Sequence, residues 1–531
     1  MPMQTRRIGC ACKGKNMNSK NVNSRKWTGI VGLALFAVLA SPVSLAAQDQ
    51  AKKTRPHQYR HYQLFDVGTF GGPNSSYGLP PSGKLINNSG VAVGGADTPT
   101  PEPSGFCFNF DCYLSYGFKW QNGVASQLAA LPGFNSSLAL GVSDSGLTVG
   151  ASENGTDPLT GGPAAEAILW GKDGSLTDLG TLGGNESVAS EVNNRGQIAG
   201  VALNTIPDPY TGFLLIPGAT QARAFRWTES KGMQDLGTLG GTDSAAIFIN
   251  ERGQINGWSF TNNTPNSVQT LCGANIPTMD PFLWENGKMT DLGSLGGTCG
   301  QSNGLNNRGQ VAGVSNLAGD LKCHPFLWDK VGGMRDLGTL GGDSGVATYL
   351  NDAGEVVGVA DLPGAQGCDG PEPHHAFFWK NGVMTDLGTI DGDPCSIARG
   401  INSHGQVVGA ATDCSHQLNA FLWEQGGAMV DLNTLIPSNP SLVLNHALYI
   451  NDNGDIASLG ILANGDIHSF VLTPCDENHP GVEGCDYSMV DAATAAAQSA
   501  TRPYVPSTTQ SLSRSRWSDR YHMRGLPSTS K

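Results

Sequence analysis

The chain has 531 residues, with 32 basic against 45 acidic side chains, only 15% charged residues and 72 glycines. An acidic chain this poor in cations is not built to neutralise a phosphate backbone, which excludes nucleic acid as a partner. Glycine and proline at this level can also mean disorder, but apolar positions recur here at regular intervals, so the glycines mark many turns.

At the N-terminus, Arg25-Lys26 precede an apolar stretch from Trp27 to Ala40, and Ser44-Leu45-Ala46-Ala47 offers a small-residue cleavage site. Residues 1–47 therefore read as a cleaved signal peptide, with Met17 a candidate true start and Cys10 and Cys12 upstream of it. The apolar run is shorter than the roughly 18 residues that span a bilayer, and no second run follows. The mature chain is thus expected outside the cytoplasm, extracellular or periplasmic, without a transmembrane helix. Residues 48–58 read as a linker.

From residue 59 to 474 one pattern repeats about eight times. Each copy holds an Asn-x-x-Gly turn, an apolar-aromatic run ending in Trp, and Asp-Leu-Gly-Thr-Leu-Gly-Gly or a variant. The Asp marker falls at Asp66, Asp178, Asp235, Asp291, Asp336, Asp386 and Asp431, with a degenerate copy at Gln127. The turn falls at Asn87, Ser143, Asn193, Asn250, Asn306, Asn351, Asn402 and Asn451. Val346–Leu350 and Glu355–Val359 flank Asn351-Asp352-Ala353-Gly354, and His375–Trp379 and Met384–Gly388 flank Lys380-Asn381-Gly382-Val383. These are two hairpins, because the turn glycines can take positive φ and Asn-Gly is a strong hairpin signal.

Four antiparallel strands per fifty or so residues is the size of a propeller blade. The first copy begins with a lone fourth strand, Tyr62–Val67, and the last ends with a lone third strand, His468–Leu472. Joining them completes an eighth blade from both termini and leaves no free edge. The fold class is therefore all-β, an eight-bladed β-propeller over residues 59–474. A seven-bladed ring excluding residues 86–134 is the next choice, and an open solenoid the third.

In such a meander the two hairpin turns lie at one end of each blade. The connections between strands two and three, and those leading to the next blade, lie at the other. The two–three connection varies most, short before Cys323 but running from Ser259 to Asp280 in another unit. Variable loops on one face of a rigid ring are where a binding surface sits.

Ten cysteines remain in the mature chain, an even number that in an exported protein favours disulfides. Cys107 with Cys112, Cys395 with Cys414 and Cys475 with Cys485 are near neighbours in sequence. Cys272, Cys299, Cys323 and Cys368 can pair either as Cys299–Cys323 with Cys272–Cys368, or as Cys272–Cys299 with Cys323–Cys368. Residues 475–485 read as a Cys-bounded loop, and residues 486–531, rich in Ser, Thr and Arg, as a disordered basic tail.

These motifs resemble those of the HAF-repeat family of bacterial extracellular repeat proteins, whose tripeptide stands here as His375-Ala376-Phe377 beside the Asp-Leu-Gly-Thr-Leu-Gly-Gly segments. The likeness covers nearly all of residues 62–474 and implies export and a repeat fold, not a reaction. Some members end in a cell-surface sorting tail, and this chain lacks the apolar run such a tail needs.

Motifs of known chemistry are few. The repeated Asp is expected to cap turn amides, since a catalytic acid would break the repeat. Asp452-Asn453-Gly454-Asp455 could suit calcium, but the equivalent Asn193-Asn194-Arg195-Gly196 has an Arg where an acid is needed, so a plain turn is expected and no cofactor. His324, His374, His375 and His416 lie near third strands in different units, a poor basis for one metal site. Phe106, Phe108, Phe110, Tyr113, Tyr210, Phe213 and Trp258 could stack on sugars where exposed. The leading expectation is a non-enzymatic binding module for a glycan or extracellular protein. The alternative is a polysaccharide hydrolase or lyase, for which Asp157, Glu166, Asp208, Asp280, Asp361 and Asp369 are the unpatterned acids on the loop side.

Overall fold

The computed structural model describes residues 57–78, 83–102, 112–159, 161–209, 220–267, 270–273, 275–364, 373–390, 393–412 and 418–499. Its strands form eight four-stranded antiparallel units, here blades 1–8. Blade 1 runs from Ser75 to Leu128, blade 2 from Ser137 to Gly180, blade 3 from Ser187 to Asp235 and blade 4 from Ser244 to Asp291. Blade 5 runs from Gly296 to Asp336, blade 6 from Gly345 to Asp386 and blade 7 from Cys395 to Asp431. Blade 8 takes three strands from Leu442–Pro474, and its fourth is Tyr62–Asp66, antiparallel to Ile467–Pro474 with Leu64 opposite Leu472. The terminal strands therefore pair as the sequence pattern requires. Residues 86–134 belong to an ordinary blade, which removes the seven-bladed alternative.

The local chemistry matches the repeat. The eight turn glycines, from Gly90 to Gly454, all have φ between 70° and 88°, where a side chain would be strained. At the second hairpins, Asn122-Gly123, Asn286-Gly287 and Asn381-Gly382 all have positive φ, the geometry that matches the twist of the flanking strands.

Blades pack through the repeated aromatics. Phe377 and Trp379 of blade 6 share a buried cluster with Ala312, Leu327 and Leu337 of blade 5. Small residues are needed where an aromatic ring lies on the backbone: a Cβ at Gly200 would stand 2.1 Å from the Val188 carbonyl oxygen and 2.7 Å from the Phe225 ring. Blades 4 and 5 are tied further by one parallel bridge, Met279 opposite Cys299.

The C-terminal region departs from the expected disordered tail. Met489–Asp491 pairs with Gln58–Arg60, and an α-helix follows over Ala492–Ser499. Val490 and Ala495 are buried against Tyr59, Leu432 and Leu435. Composition obscured this because three apolar contacts suffice to dock a short strap, and their partners lie at the other end of the chain. Residues 500–531 lie outside the described residues, as do residues 1–56.

Candidate functional site: the central lumen and the loop face

At one end of the blades the Asn-x-x-Gly turns form a hydrogen-bonded circuit. The side-chain amide of Asn193 donates to the Asn250 carbonyl, Asn250 to Asn306, Asn306 to Asn351, Asn351 to Asn402 and Asn402 to Asn451, all at 2.9–3.0 Å. Asn451 donates to the Asn87 carbonyl and Asn87 to that of Ser143. Ser143 lacks the amide, and the next link is made instead by the Ser145 amide to Asn194 Oδ1 at 2.7 Å. Each Asn Oδ1 meanwhile accepts local turn amides, as Asn351 does from Ala353 and Glu355. Asp452 belongs to the same circuit, accepting from the Ser403 amide at 2.9 Å, and Asp455 accepts from Asn451. Their carboxylates serve the turn.

The Asp-Leu-Gly-Thr motif is also turn chemistry. Asp66, Asp178, Asp235, Asp291, Asp336 and Asp386 each accept from the glycine amide two residues on. The same carboxylates face the third strand two residues before its buried Phe or Ile. His324 meets Asp336, His375 meets Asp386 and His468 meets Asp66, all with Nδ1 at 2.8–3.0 Å. In blades 2 and 4 the histidine is replaced by an acid. Burial, then Asp178, raises the Glu166 pKa, and burial, then Asp291, pushes that of Asp280 up to about 7. The acid pairs stand on outer strands of separate blades, away from the axis.

The axis itself is lined by the first strands. In blades 2–8 each carries a β-bulge three residues before its turn residue: Leu140, Ser190, Ile247, Asn303, Thr348, Arg399 and Leu448. A bulge re-aims one side chain. Ser190, Asn303 and Thr348 use it to donate to the next blade's first strand, at Ala246, Ala347 and Ala398. Arg399 makes no such bond.

Below this level the lumen is crossed by aromatics from alternate blades. Tyr349 of blade 6 meets Tyr449 of blade 8 with ring centroids 5.8 Å apart, and Phe248 of blade 4 meets Tyr349 at 6.3 Å. Residues of non-adjacent blades touch only across the axis. The intervening positions, Gly304 and Gly400, leave the room: a Cβ at Gly304 would lie 2.6 Å from Leu350 Cδ2. Above, Leu271 packs against two buried clusters, one holding Val188 and Ile247 of blades 3 and 4 and the other Val346 and Ile397 of blades 6 and 7, so this residue covers the lumen from the loop side.

Cys272–Cys299 lies on the loop face, at the start of the first strand of blade 5, whereas Cys475–Cys485 follows the third strand of blade 8 at the turn end, near Asp455. Cys272–Cys299 is formed with Cα atoms 5.8 Å apart, and Cys475–Cys485 with 5.4 Å. The first excludes the Cys299–Cys323 alternative. Cys112, Cys323 and Cys395 are also disulfide-bonded. Cys107, Cys368 and Cys414 lie outside the described residues, as do Phe106, Phe108, Phe110, Tyr210, Phe213, Asp369 and His416. Of the proposed stacking aromatics, Tyr113 is half-buried at the start of a third strand. Trp258 is 2% exposed against Phe260 and has no face free for a sugar, which corrects its assignment. It sits on strand two beneath the covering loop, so its lack of a repeat partner reflects loop packing.

The remaining acids are divided among blades. Asp157 is buried and accepts from the Leu159 amide. Burial pushes Asp361 up to about 7, with Asp343 adding to the rise. His374 is pulled down to about 4, chiefly by burial. Among the described residues no three His, Cys, Asp or Glu side chains converge as a metal cage, and no helix is long and apolar enough to cross a membrane. The lumen residues Arg399 and His446 escaped the sequence reading; the signal was a lone Arg at a bulge position that in blades 2–6 and 8 is uncharged.

No family model and no curated protein matches the chain. Among solved structures it is similar to TolB from Acinetobacter baumannii, at 10% identity over 62% of this chain and 80% of that one with a TM-score of 0.29. It is similar to the Pyrococcus horikoshii acylaminoacyl peptidase at 10% identity, over 69% of this chain and 54% of that one, with a TM-score of 0.38. A puromycin hydrolase matches at 12% identity over 62% and 50%, with a TM-score of 0.36. At these values the likenesses carry no argument about activity, and the eight-bladed architecture rests on the strand pairing itself.

Proposed function

We propose that the protein is an exported, non-enzymatic binding module of the HAF-repeat type that takes a glycan or an extracellular protein on its loop face. The observation that carries this reading is the difference between the two ends of the blades. One end is a uniform circuit whose amides and carbonyls are satisfied by one another. The other bears connections of unequal length, stapled by disulfides, on an otherwise repetitive frame. Variation confined to one face of a rigid scaffold is what recognition requires.

The test is retention of the purified protein on immobilised bacterial and plant polysaccharides and on extracellular protein extracts, with reaction products followed in the same samples. Retention without product, lost when loop residues are exchanged and kept when turn residues are, supports the module. Retention that survives every loop exchange sinks it.

The acid pairs Glu166–Asp178 and Asp280–Asp291 favour the second reading, a polysaccharide hydrolase or lyase. A carboxyl group with a raised pKa beside a second carboxyl group is the equipment of acid–base chemistry. Product release abolished by Asp280→Asn would turn the assignment to that reading.

A further inference from the structure

Arg399 and His446 stand on the innermost strands of adjacent blades, 7 and 8. Arg399 has no hydrogen-bond or ion-pair partner among the described residues, and its Nε is buried and unsatisfied. His446 is 7% exposed, its Nδ1 also unsatisfied, and the Oδ1 of neighbouring Asn445 likewise. Arg399 is partly exposed, stands at the bulge of the innermost strand of blade 7, and has its pKa drawn down to about 10 by burial. His446 is drawn down to about 3 by burial and then by Arg399. Its ring is therefore neutral, with one nitrogen able to donate.

Among the described residues no carboxylate pairs with this guanidinium. Glu191 and Lys84, the charged groups that act on Tyr349, are engaged on the turn side: Glu191 accepts from the Ile249 amide at 2.8 Å, and Lys84 pairs with Asp144 at 2.8 Å. At the bulge, where Ser190, Asn303 and Thr348 spend their polar atoms on the neighbouring blade, Arg399 leaves a full guanidinium unspent. A buried, uncompensated cation is costly, and an anionic ligand at this position would offset that cost.

We propose that the lumen between the Leu271 cover and the Tyr349–Tyr449 floor is a binding site for a small organic monocarboxylate, held by Arg399 and His446. One guanidinium balances one negative charge, and its planar fork matches a carboxylate in two parallel hydrogen bonds. A doubly charged oxyanion would leave a charge unpaired. Val346 and Ile397, at the register position of His446 on their own first strands, and Leu448, at that of Arg399, are apolar and suit the body of such a ligand, while Gln301, at the former position, is polar. The site is independent of the loop-face reading: it lies beneath the cover, and either can fail alone.

Urea unfolding midpoints of the wild type and of Arg399→Leu, each equilibrated with acetate, benzoate or sulfate at equal ionic strength, test this. Equilibrating through the unfolded state means that a slow route past the cover cannot hide binding. The expected result is a saturable rise in midpoint for wild type with acetate or benzoate, and an apparent Kd at least tenfold weaker in Arg399→Leu. The variant without anion should be no less stable than wild type, since it sheds an unpaired charge. His446→Gln, which keeps a donor, should bind within a few-fold of wild type. Equal midpoint rises in wild type and Arg399→Leu, or no saturable rise with any of the three anions, overturn the site. A preference for sulfate overturns the monocarboxylate assignment.

Discussion

The side-chain amide of Asn451 donates to the main-chain carbonyl of Asn87, 2.9 Å away and 364 residues earlier in the chain. The same nitrogen reaches the Asp455 carboxylate at 2.8 Å, while its Oδ1 receives the amides of Asn453 and Asp455. One residue thus shapes its own turn and fastens blade 8 to blade 1.

The two duties can be separated. Asn451→Asp keeps the acceptor that shapes the turn but loses the donor, and sets a carboxylate against both the Asn87 carbonyl and Asp455. It should destabilise by about 1–3 kcal/mol, the cost of a buried bond lost with one partner left unsatisfied. Ser143→Asn, at the one blade that lacks the amide, should have the opposite sign. Urea unfolding of both variants decides the matter, and a neutral Asn451→Asp would remove the circuit from the account of stability.

A second expectation concerns pH. Asp280 has its pKa pushed up to about 7 by burial and the facing Asp291, so the fold prefers its protonated form. A raised folded-state pKa contributes stability that is full below the unfolded value and lost as pH rises through the folded one. Glu191, Asp243 and Asp361 are also raised to about 7, burial being the main cause in each. Wild-type stability should therefore decline between roughly pH 4 and pH 7. Asp280→Asn, isosteric and unable to ionise, should leave the thermal midpoint nearly unchanged near pH 5 and raise it by a few degrees near pH 8. An equal shift at both pH values would show that the paired acids are not the cause.

Much of this architecture was legible because the repeat writes its own hydrogen bonds. The Asn of each turn, the Asp before Leu-Gly and the Asn-Gly hairpins are local devices, and local devices survive in sequence. What was not legible came from contacts between distant segments. Whether Cys299 meets Cys272 or Cys323 depends on how the Ser259–Asp280 connection folds over the axis. Trp258, which looks like a free aromatic, is covered by that same fold. The isolation of Arg399 follows from what seven other blades place around it.

The cover over the lumen yields a third expectation. Cys272–Cys299 closes 27 residues of sequence and holds Leu271 above the first strands. Replacing both cysteines by serine should lower stability by about 3 kcal/mol on chain-entropy grounds. Exchange of the amides of Cys272 and Gly273 should also rise more than that of the turn circuit. Peptide mapping of the unreduced protein checks the pairing directly, and recovery of a peptide linking Cys299 to Cys323 would refute it.

The last expectation turns on the terminal strap. Tyr59 is fully buried, its hydroxyl donates to the Ala428 carbonyl, and His57 Nε2 lies 2.8 Å from Glu424, so the segment before the first blade strand is anchored on blade 7. Met489–Asp491 covers that segment as a second strand, and Ser499 donates to Asp431, the residue whose side chain also caps the short helix Leu432–Thr434. Removing the chain from Tyr487 onward would uncover Tyr59, Leu432 and Leu435 together. Val490→Asp makes the milder version of the same change by setting a charge into this cluster, and should cost about 2 kcal/mol or more. The strand Tyr62–Asp66 keeps its pairing with Ile467–Pro474 in both variants, so the blades should remain assembled. Limited proteolysis should then show new cleavage near residues 57–61 ahead of any loss of the global fold. If instead both variants unfold in a single step with wild-type resistance at 57–61, the strap is part of the cooperative core and not an addition to it.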